Sequence, residues 1–160
     1  MHRHHRTLRG FTLIELMISI VILGILASMA AVTYFGIFSK GQDVAAQDAL
    51  HGLSVEQRSY FSTYGSFTNN VSTLEGIEPN YTFATAASTG PTSISVGTGT
   101  ISGTPAVGMA VLGASGYCNT INVLDPTQSR QDLTGRFRPS ASTPCTGTYA
   151  LSNTTPTHGW

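Results

Sequence analysis

The sequence predicts an α+β fold, in which one long amino-terminal helix packs on a small antiparallel sheet. Two observations predict it. From Phe11 to Ser39 the chain contains no proline and no charge other than Glu15, and an amphipathic pattern follows as far as Thr63. From Tyr81 onward, short alternating runs of apolar and polar residues are separated by glycine and proline, which is typical of paired strands.

The composition limits the class of protein. The 160 residues allow one domain with a modest core and a long appendage. The formal net charge is zero, but three of the eight basic residues lie in the first ten positions, so five basic side chains face eight acidic ones in the remainder. That balance argues against electrostatically driven nucleic-acid binding. Only 10% of the residues are charged and Thr, Ser and Gly are abundant, which suits an extracellular setting.

The apolar segment, residues 11–39, is long enough to cross a bilayer, because about 20 apolar residues suffice for a helix. Its preceding flank is basic, so we expect the amino terminus to stay on the cytoplasmic side and everything after Lys40 to be exported. A cleaved secretory signal would place its small residues beyond the apolar core, whereas Ala27 and Ser28 lie inside it. We therefore expect a retained membrane anchor. The alternative is a plain signal anchor with no role in assembly.

After Lys40 the apolar positions recur at steps of three and four, which predicts that the helix continues without interruption to about Thr63. Gly65 is expected to end it. The stripe is apolar apart from one glutamine, and its members are Ala46, Leu50, Leu53, Gln57, Tyr60 or Phe61, and Tyr64.

The remaining chain is predicted to form loops and strands. Strands are predicted at 81–86, 92–97, 106–112, 120–124 and 148–151. One face of their antiparallel sheet is expected to pack on the apolar stripe of the helix. Residues 65–79 are predicted to be a loop, since asparagines, Gly76 and Pro79 interrupt them. The Thr/Ser/Gly-rich stretch 88–105 has an alternative interpretation as an exposed loop.

The two cysteines, Cys118 and Cys145, have 26 residues between them, which is unlike the spacing of metal or redox motifs. Two cysteines in one exported domain most simply form a disulfide, and such a loop stabilises a domain by roughly 3–4 kcal/mol. Buried free thiols are the alternative.

The amino terminus resembles the processing motif of prepilins. Arg9, Gly10, Phe11 and Glu15 follow its pattern of a short basic leader, a glycine, a phenylalanine, and a glutamate as the fifth residue of the mature chain. The following ILGILASMA is similar to the start of type IV pilins and of type II secretion pseudopilins. The resemblance is specific over residues 1–40 and weak beyond them. It implies a pilin-like form of the α+β fold.

The resemblance implies three properties of this site. Prepilin peptidase is expected to cut between Gly10 and Phe11 and to methylate the new amine of Phe11. Glu15 is expected to register subunits in a filament, because its carboxylate can pair with the Phe11 amine of a neighbouring copy. The alternative for Glu15 is an interfacial carboxylate that reaches the lipid headgroups.

The resemblance also suggests a division of the chain. Residues 1–10 are expected to be a cleaved leader, 11–39 the transmembrane and filament-core half of the helix, 40–64 its amphipathic continuation, and 65–160 a globular head with a carboxy-terminal disulfide region. There is one departure from the family pattern. Many members have a proline partway along the helix, where this sequence has Ala30 and Ala31. Gly24 and Gly36 are weaker candidates for a helix break in the filament.

The sequence predicts no catalytic residue, metal site or cofactor. His51 and His158 have no ligand-like neighbours, and Asp125 and Asp132 lack the alternating oxygen ligands of a calcium loop. A small basic cluster could contact a neighbouring subunit, a surface or DNA, or could be a solvated loop; its members are Arg130, Arg136 and Arg138, with Phe137 between them. Three sequons for N-glycosylation, at Asn70, Asn80 and Asn153, are expected by chance in so Thr-rich a chain, and O-linked sugar on Ser or Thr is an equal alternative.

The leading hypothesis is a structural subunit of a type IV pilus. It would polymerise through its amino-terminal helix, alone or with minor pilins, into a surface filament for adhesion, motility or DNA uptake. Its partners would be prepilin peptidase, the inner-membrane assembly machinery and the membrane before assembly, with DNA weakly supported. The first alternative is a pseudopilin of a type II secretion system. The second is a membrane-anchored ligand- or DNA-binding module that does not polymerise.

Overall fold

A computed structural model describes residues 10–127 and 132–153. Within them the helices are α1 (Leu13–Tyr64), α2 (Val71–Ile77) and α3 (Gly147–Ser152), and the strands are β1 (Thr82–Ala84), β2 (Ser93–Ile101), β3 (Thr104–Leu112), β4 (Cys118–Leu124) and β5 (Leu133–Phe137). The chain divides into two compact units, Met1–Phe38 and Ser39–Trp160, and α1 contributes residues to both.

Helix α1 confirms the prediction of one uninterrupted helix. It has 52 residues and ends one residue before Gly65. Gly65 has a φ of +71°, which favours glycine, and its N–H donates to the carbonyl of Phe61 at 2.7 Å. The apolar stripe at steps of three and four therefore belongs to a helix, as its spacing predicts.

The five described strands form one sheet in the order β1-β2-β3-β4-β5. All pairs are antiparallel except β1 with β2, which is parallel, so the expectation of a wholly antiparallel sheet is wrong at this edge. The predictions of strands at 81–86, 92–97, 106–112 and 120–124 are confirmed. The alternative of an exposed loop over 88–105 is wrong, because β2 occupies nine of those residues.

The two faces of the sheet carry side chains of different size. Large side chains face the stripe of α1 and form the main core; they include Ile94 and Val96 of β2, Val107, Met109 and Val111 of β3, and Ile121 and Val123 of β4, against Ala46, Leu50 and Leu53. The alternate positions of β2 and β3 are small, namely Ser95, Gly97, Gly99, Ala106, Gly108 and Ala110. Helix α3 packs against these two strands on the face with the small residues.

The glycines on this face admit the backbone of α3. A side chain at Gly108 would collide with the carbonyl oxygen of Gly147, and one at Gly97 would meet Thr148. The N–H of Gly147 donates to Ser95 Oγ at 3.1 Å, and Asn122 Nδ2 donates to the carbonyl of Ala150 at 2.7 Å. The small residues of β2 thus form a surface on which helix α3 packs.

Helix α3 corrects the prediction of a strand at 148–151. Thr146 caps its start, since its Oγ1 accepts a hydrogen bond from the N–H of Tyr149 at 3.0 Å. A run of four mixed residues cannot by itself distinguish one helical turn from a short strand. Here the capping threonine and the close approach to the glycine face select the helix.

Two other elements also lie outside the predictions. Helix α2 falls within the predicted loop 65–79. Asn70, an expected breaker, instead caps this helix, since its Oδ1 accepts from the N–H of Thr73 at 3.2 Å. Leu74 of this helix is buried in the main core. Strand β5 lies where the sequence predicts no strand and where a solvated loop is one alternative for the basic cluster. It pairs with β4 in register from Cys118–Phe137 to Asn122–Leu133.

Candidate assembly site

The first unit presents a long apolar surface. The large apolar side chains from position 11 to 38 are all more than half exposed in the single chain, and Phe11, Leu13 and Val32 are 75%, 79% and 78% exposed. By length and composition, α1 is able to cross a membrane. Covering an apolar surface stabilises it by roughly 25 cal/mol for each Å² removed from water, so a surface of this extent indicates lipid or protein as its partner.

The hydroxyl groups of this unit are compatible with an apolar environment. The hydroxyls of Ser19, Ser28 and Thr33 donate to backbone carbonyls three or four residues earlier, at 2.7, 2.7 and 3.4 Å. A donor that is already bonded within the helix costs little to bury. The carboxylate of Glu15 is the charged group of the segment.

Glu15 lies in the first turn of α1 and interacts with the residue that caps this helix. The N–H of Glu15 donates to Thr12 Oγ1 at 3.3 Å, and Thr12 Oγ1 is 3.5 Å from Glu15 Oε2. A Thr-x-x-Glu sequence is the signature of a capping box, and a negative charge in the first turn is favourable to the helix dipole. Thr12 is a site residue that the sequence prediction missed, although its spacing from Glu15 carries this signal.

The cap places the carboxylate beside the predicted cleavage position. Gly10, Phe11 and Thr12 precede the first helical residue, and Gly10 is exposed. A Cβ built on Gly10 meets no atom within 4 Å, so nothing in the described chain crowds this peptide bond. The bond between Gly10 and Phe11 therefore lies in non-helical, accessible chain next to a helix start that carries a carboxylate.

Comparison with known proteins finds a family model that matches the same segment. The family model for the prokaryotic N-terminal methylation motif matches residues 6–31. The chain is also 39% identical over 66 residues to the type IV major pilin protein PilA of Myxococcus xanthus (strain DK1622). The chain is therefore similar to type IV pilins and carries a prepilin-type methylation motif.

These similarities cover only part of the proteins compared. The alignment with the Myxococcus pilin includes 39% of this chain and spans 30% of that pilin. No solved structure matches the chain. The family model therefore reaches only residues 6–31 of this chain.

The second unit of the chain contains the predicted disulfide. Cys118, the first residue of β4, is bonded to Cys145, which lies two residues before α3, with a Cα–Cα distance of 5.5 Å. Both cysteines are buried and pack with Ala110. The prediction of one disulfide is confirmed. The bond attaches the segment before α3 to the sheet, beside the face with the small residues.

A buried carboxylate connects α1 with the loop between β3 and β4 and with β5. Asp43 is 4% exposed, accepts from the N–H of Ser115 at 3.1 Å and from its hydroxyl, and forms an ion pair with Arg136 at 3.1 Å. Next to it, Gln47 Nε2 donates to Asn119 Oδ1 at 3.2 Å. No sequence pattern indicated the pairing, because its partners are 72 and 93 positions apart.

Two arginines lie against one tyrosine beside this carboxylate. The guanidinium carbons of Arg136 and Arg138 are 4.5 and 4.6 Å from the centre of the Tyr117 ring. A hydrogen bond with Arg138 and the positive charge of both arginines lower the pKa of Tyr117 below its usual value. Two members of the predicted basic cluster thus meet a residue that the sequence did not connect with them, while Arg130 lies outside the described residues.

The other predicted positions do not come together as a site. Asp125 Oδ1 accepts from the N–H of Thr127 at 2.9 Å, whereas Asp132 forms an ion pair with Arg58 at 2.6 Å. His158 lies outside the described residues. Among residues 10–127 and 132–153, no three His, Cys, Asp or Glu side chains are grouped so that they could hold a metal ion.

Proposed function

We propose that this chain is the structural subunit of a type IV pilus, which stands in the membrane as a precursor and is then packed into a helical filament. The observation that carries this proposal is the apolar surface of the first unit, which has Glu15 as its single charge and follows an accessible Gly10. The same surface fits lipid before assembly and other copies of the chain afterwards.

Cleavage between Gly10 and Phe11 would create the cation that Glu15 lacks. The new amine of Phe11 would lie at the start of α1, within one helical turn of the carboxylate, and methylation by prepilin peptidase would keep it basic. In a bundle of staggered copies, each Glu15 can pair with the amine of a neighbour. A buried ion pair costs much to form and much to break, so it contributes register more than bulk stability.

Bulk stability in the filament would come from the packing of the apolar side chains at 11–38. The head, residues 65–160 with its disulfide, would form the outer surface together with residues 40–64 of α1. The inner-membrane assembly machinery would extract the subunit from the membrane, and minor pilins are candidate partners in a mixed filament. The proposed role is therefore structural, and Glu15 and Phe11 are the residues proposed to direct assembly.

A type II secretion pseudopilin is the competing function, because the methylation motif is common to both classes in the family that the sequence resembles. The disulfide between Cys118 and Cys145 favours the pilin, since it is similar to the carboxy-terminal disulfide region of pilins. A non-polymerising membrane module is the third candidate. Its chain would keep the exposed apolar surface in lipid throughout.

Mass spectrometry of purified surface fibres separates these candidates. We expect this chain in the fibres, beginning at Phe11 with a methylated amine. Its presence only in the membrane fraction, with secretion of folded proteins impaired on deletion, would support the pseudopilin. Its absence from every fibre, with no secretion defect, would support the non-polymerising module.

The processing site has a test of its own. We expect Gly10→Val to leave an uncut precursor, because the added branched side chain stands beside the bond that the peptidase must reach. Gly24→Val is the matched control, since Gly24 has equally open surroundings in the single chain and lies away from the bond. Normal processing of Gly10→Val would refute the assigned site.

A further inference from the structure

The basic cluster around Tyr117 has no role in the assembly proposed above, and its position along the chain suggests a different role. Arg136 of this cluster is joined to Asp43, which is the fifth residue after Phe38 along α1. The cluster is therefore attached to the part of α1 that directly follows the apolar segment in the sequence.

The same turn of α1 carries another cation. Lys40 precedes Asp43 by three residues, and residues three apart are neighbours on a helix surface. Lys40 and Arg138 are both exposed, and neither forms an ion pair with a carboxylate among the residues that the structure describes. Asp43 is occupied by Arg136 and Ser115. Arg138 beside Tyr117 and Lys40 one turn before Asp43 are thus two exposed positive charges in addition to the Asp43–Arg136 pair.

We propose that, in the membrane-standing subunit, Lys40, Tyr117 and Arg138 form a surface that binds the phosphate groups of anionic phospholipids. Lysine, arginine and tyrosine are the residues that favour the level of the headgroups, because each has an apolar body and a polar end. Each basic side chain close to an anionic membrane strengthens binding to that membrane about fivefold. The surface would orient the head on the membrane before the subunit is extracted. This inference rests on the proposed function.

The arrangement of the arginines supports a phosphate ligand. The guanidinium of Arg138 lies over the ring of Tyr117 at 4.6 Å, and this contact holds the guanidinium against the ring. A planar guanidinium held in this way is suited to bidentate phosphate binding. Unlike Arg138, Arg58 further along α1 forms an ion pair with a carboxylate, that of Asp132 at 2.6 Å.

The test places the full chain in lipid nanodiscs of phosphatidylcholine, with or without phosphatidylglycerol, and with a spin label on the lipid headgroup. Nuclear magnetic resonance then measures the relaxation of the backbone amides of Tyr117 and Arg138. We expect severalfold stronger relaxation when phosphatidylglycerol is present. Lys40→Gln together with Arg138→Gln should remove the difference, whereas Arg58→Gln, which removes a charge from the paired arginine, should preserve it.

Three outcomes would overturn the proposal. Equal relaxation in both lipids would exclude recognition of anionic headgroups. Relaxation that survives the double substitution would exclude these two residues as its cause. Binding of duplex DNA that is lost in Arg138→Gln, with the lipid effect unchanged, would make the surface a DNA-binding one. A second spin label in the acyl chains reports whether residues 20–30 insert into the bilayer. If they insert while the amides of the head are unaffected, only this inference fails. If they do not insert, the proposed function fails as well.

Discussion

Glu15 and Asp43 are carboxylates on the same helix, but their partners differ. Asp43 is 4% exposed and accepts hydrogen bonds from Ser115 and Arg136 of its own chain. Glu15 interacts with Thr12, and no cation among the described residues lies within ion-pairing distance of it. A charge that is removed from water needs compensating partners. Asp43 has them within the folded chain, whereas Glu15 would acquire its cation by cleavage and assembly.

The two carboxylates therefore have different expected roles, one in the packing of the single chain and the other in assembly. Asp43 fixes how residues 39–64 pack on the sheet, so its loss should change the stability of the single chain. Glu15 should change assembly and leave the single chain intact. Substitutions at the two carboxylates should therefore have separable effects.

Replacing Glu15 by Leu should reduce the yield of fibres by more than about tenfold, because no carboxylate then meets the Phe11 amine of a neighbour. Membrane insertion and cleavage should continue, and the unfolding of the head should be unchanged. Quantification of sheared fibres and of processed subunit in the same cells measures both. Ser19→Ala, one turn further along, is the control and should assemble normally. A normal yield from Glu15→Leu would contradict the proposed role of the carboxylate.

Replacing Asp43 by Ala should destabilise the head by about 2–4 kcal/mol, because Arg136 and Ser115 lose a common buried partner. Denaturant unfolding of the detergent-solubilised chain, followed by the near-ultraviolet signal of the head, measures the change. Asp48→Ala is the matched control, since Asp48 lies on the same helix and is exposed. An equal, small effect of both substitutions would show that the buried pair contributes little.

Replacing Gly108 by Ala should destabilise the head by about 1–3 kcal/mol, because the added methyl group collides with the carbonyl of Gly147 and displaces α3. Gly76→Ala in α2 has open space around it and should be neutral or slightly stabilising. Hydrogen exchange at residues 147–152 localises the effect to α3. Unchanged exchange there would contradict the close contact between α3 and β3.

Replacing Thr12 by Val should have the smallest effect, about 1 kcal/mol on the start of α1, because the helix loses the oxygen that accepts from the N–H of Glu15. Amides at 13–16 in micelles should exchange about fivefold faster, while Thr12→Ser should behave as the original chain. If the cap also orients Glu15, fibre yield should decrease modestly in Thr12→Val. Equal exchange in both variants would exclude the cap.

The sequence predicted those parts of the fold that repeat a single pattern. The apolar segment and the stripe from Ala46 to Tyr64 identify one long helix, and the alternation at 106–112 and 120–124 identifies two strands. The sequence-based prediction was wrong where one residue type occurs in two structural roles. Asn70 is a capping residue where a breaker was expected, and the glycines of β2 are a contact surface where a loop was considered.

The candidate site shows the same limit. Gly10, Phe11 and Glu15 are contiguous enough to be recognised by motif, and Thr12 could have been found from the Thr-x-x-Glu spacing. The Asp43 cluster joins residues 72 and 93 positions apart, so only the fold brings its members together. The sequence does not predict strand β5, because Arg136 and Arg138 indicate a charged, solvated segment. Leu133, Gly135 and Phe137 nevertheless alternate with polar positions.

The turn between β5 and Cys145 has a practical consequence for engineering this protein. Ser140 and Thr143 exchange backbone hydrogen bonds at 3.1 and 3.2 Å, while Ala141 and Ser142 at its tip are exposed. The chain is held on one side by a sheet strand and on the other by a disulfide, so an insertion at the tip strains neither anchor. A peptide epitope placed between Ala141 and Ser142 would be displayed on the subunit without altering its core.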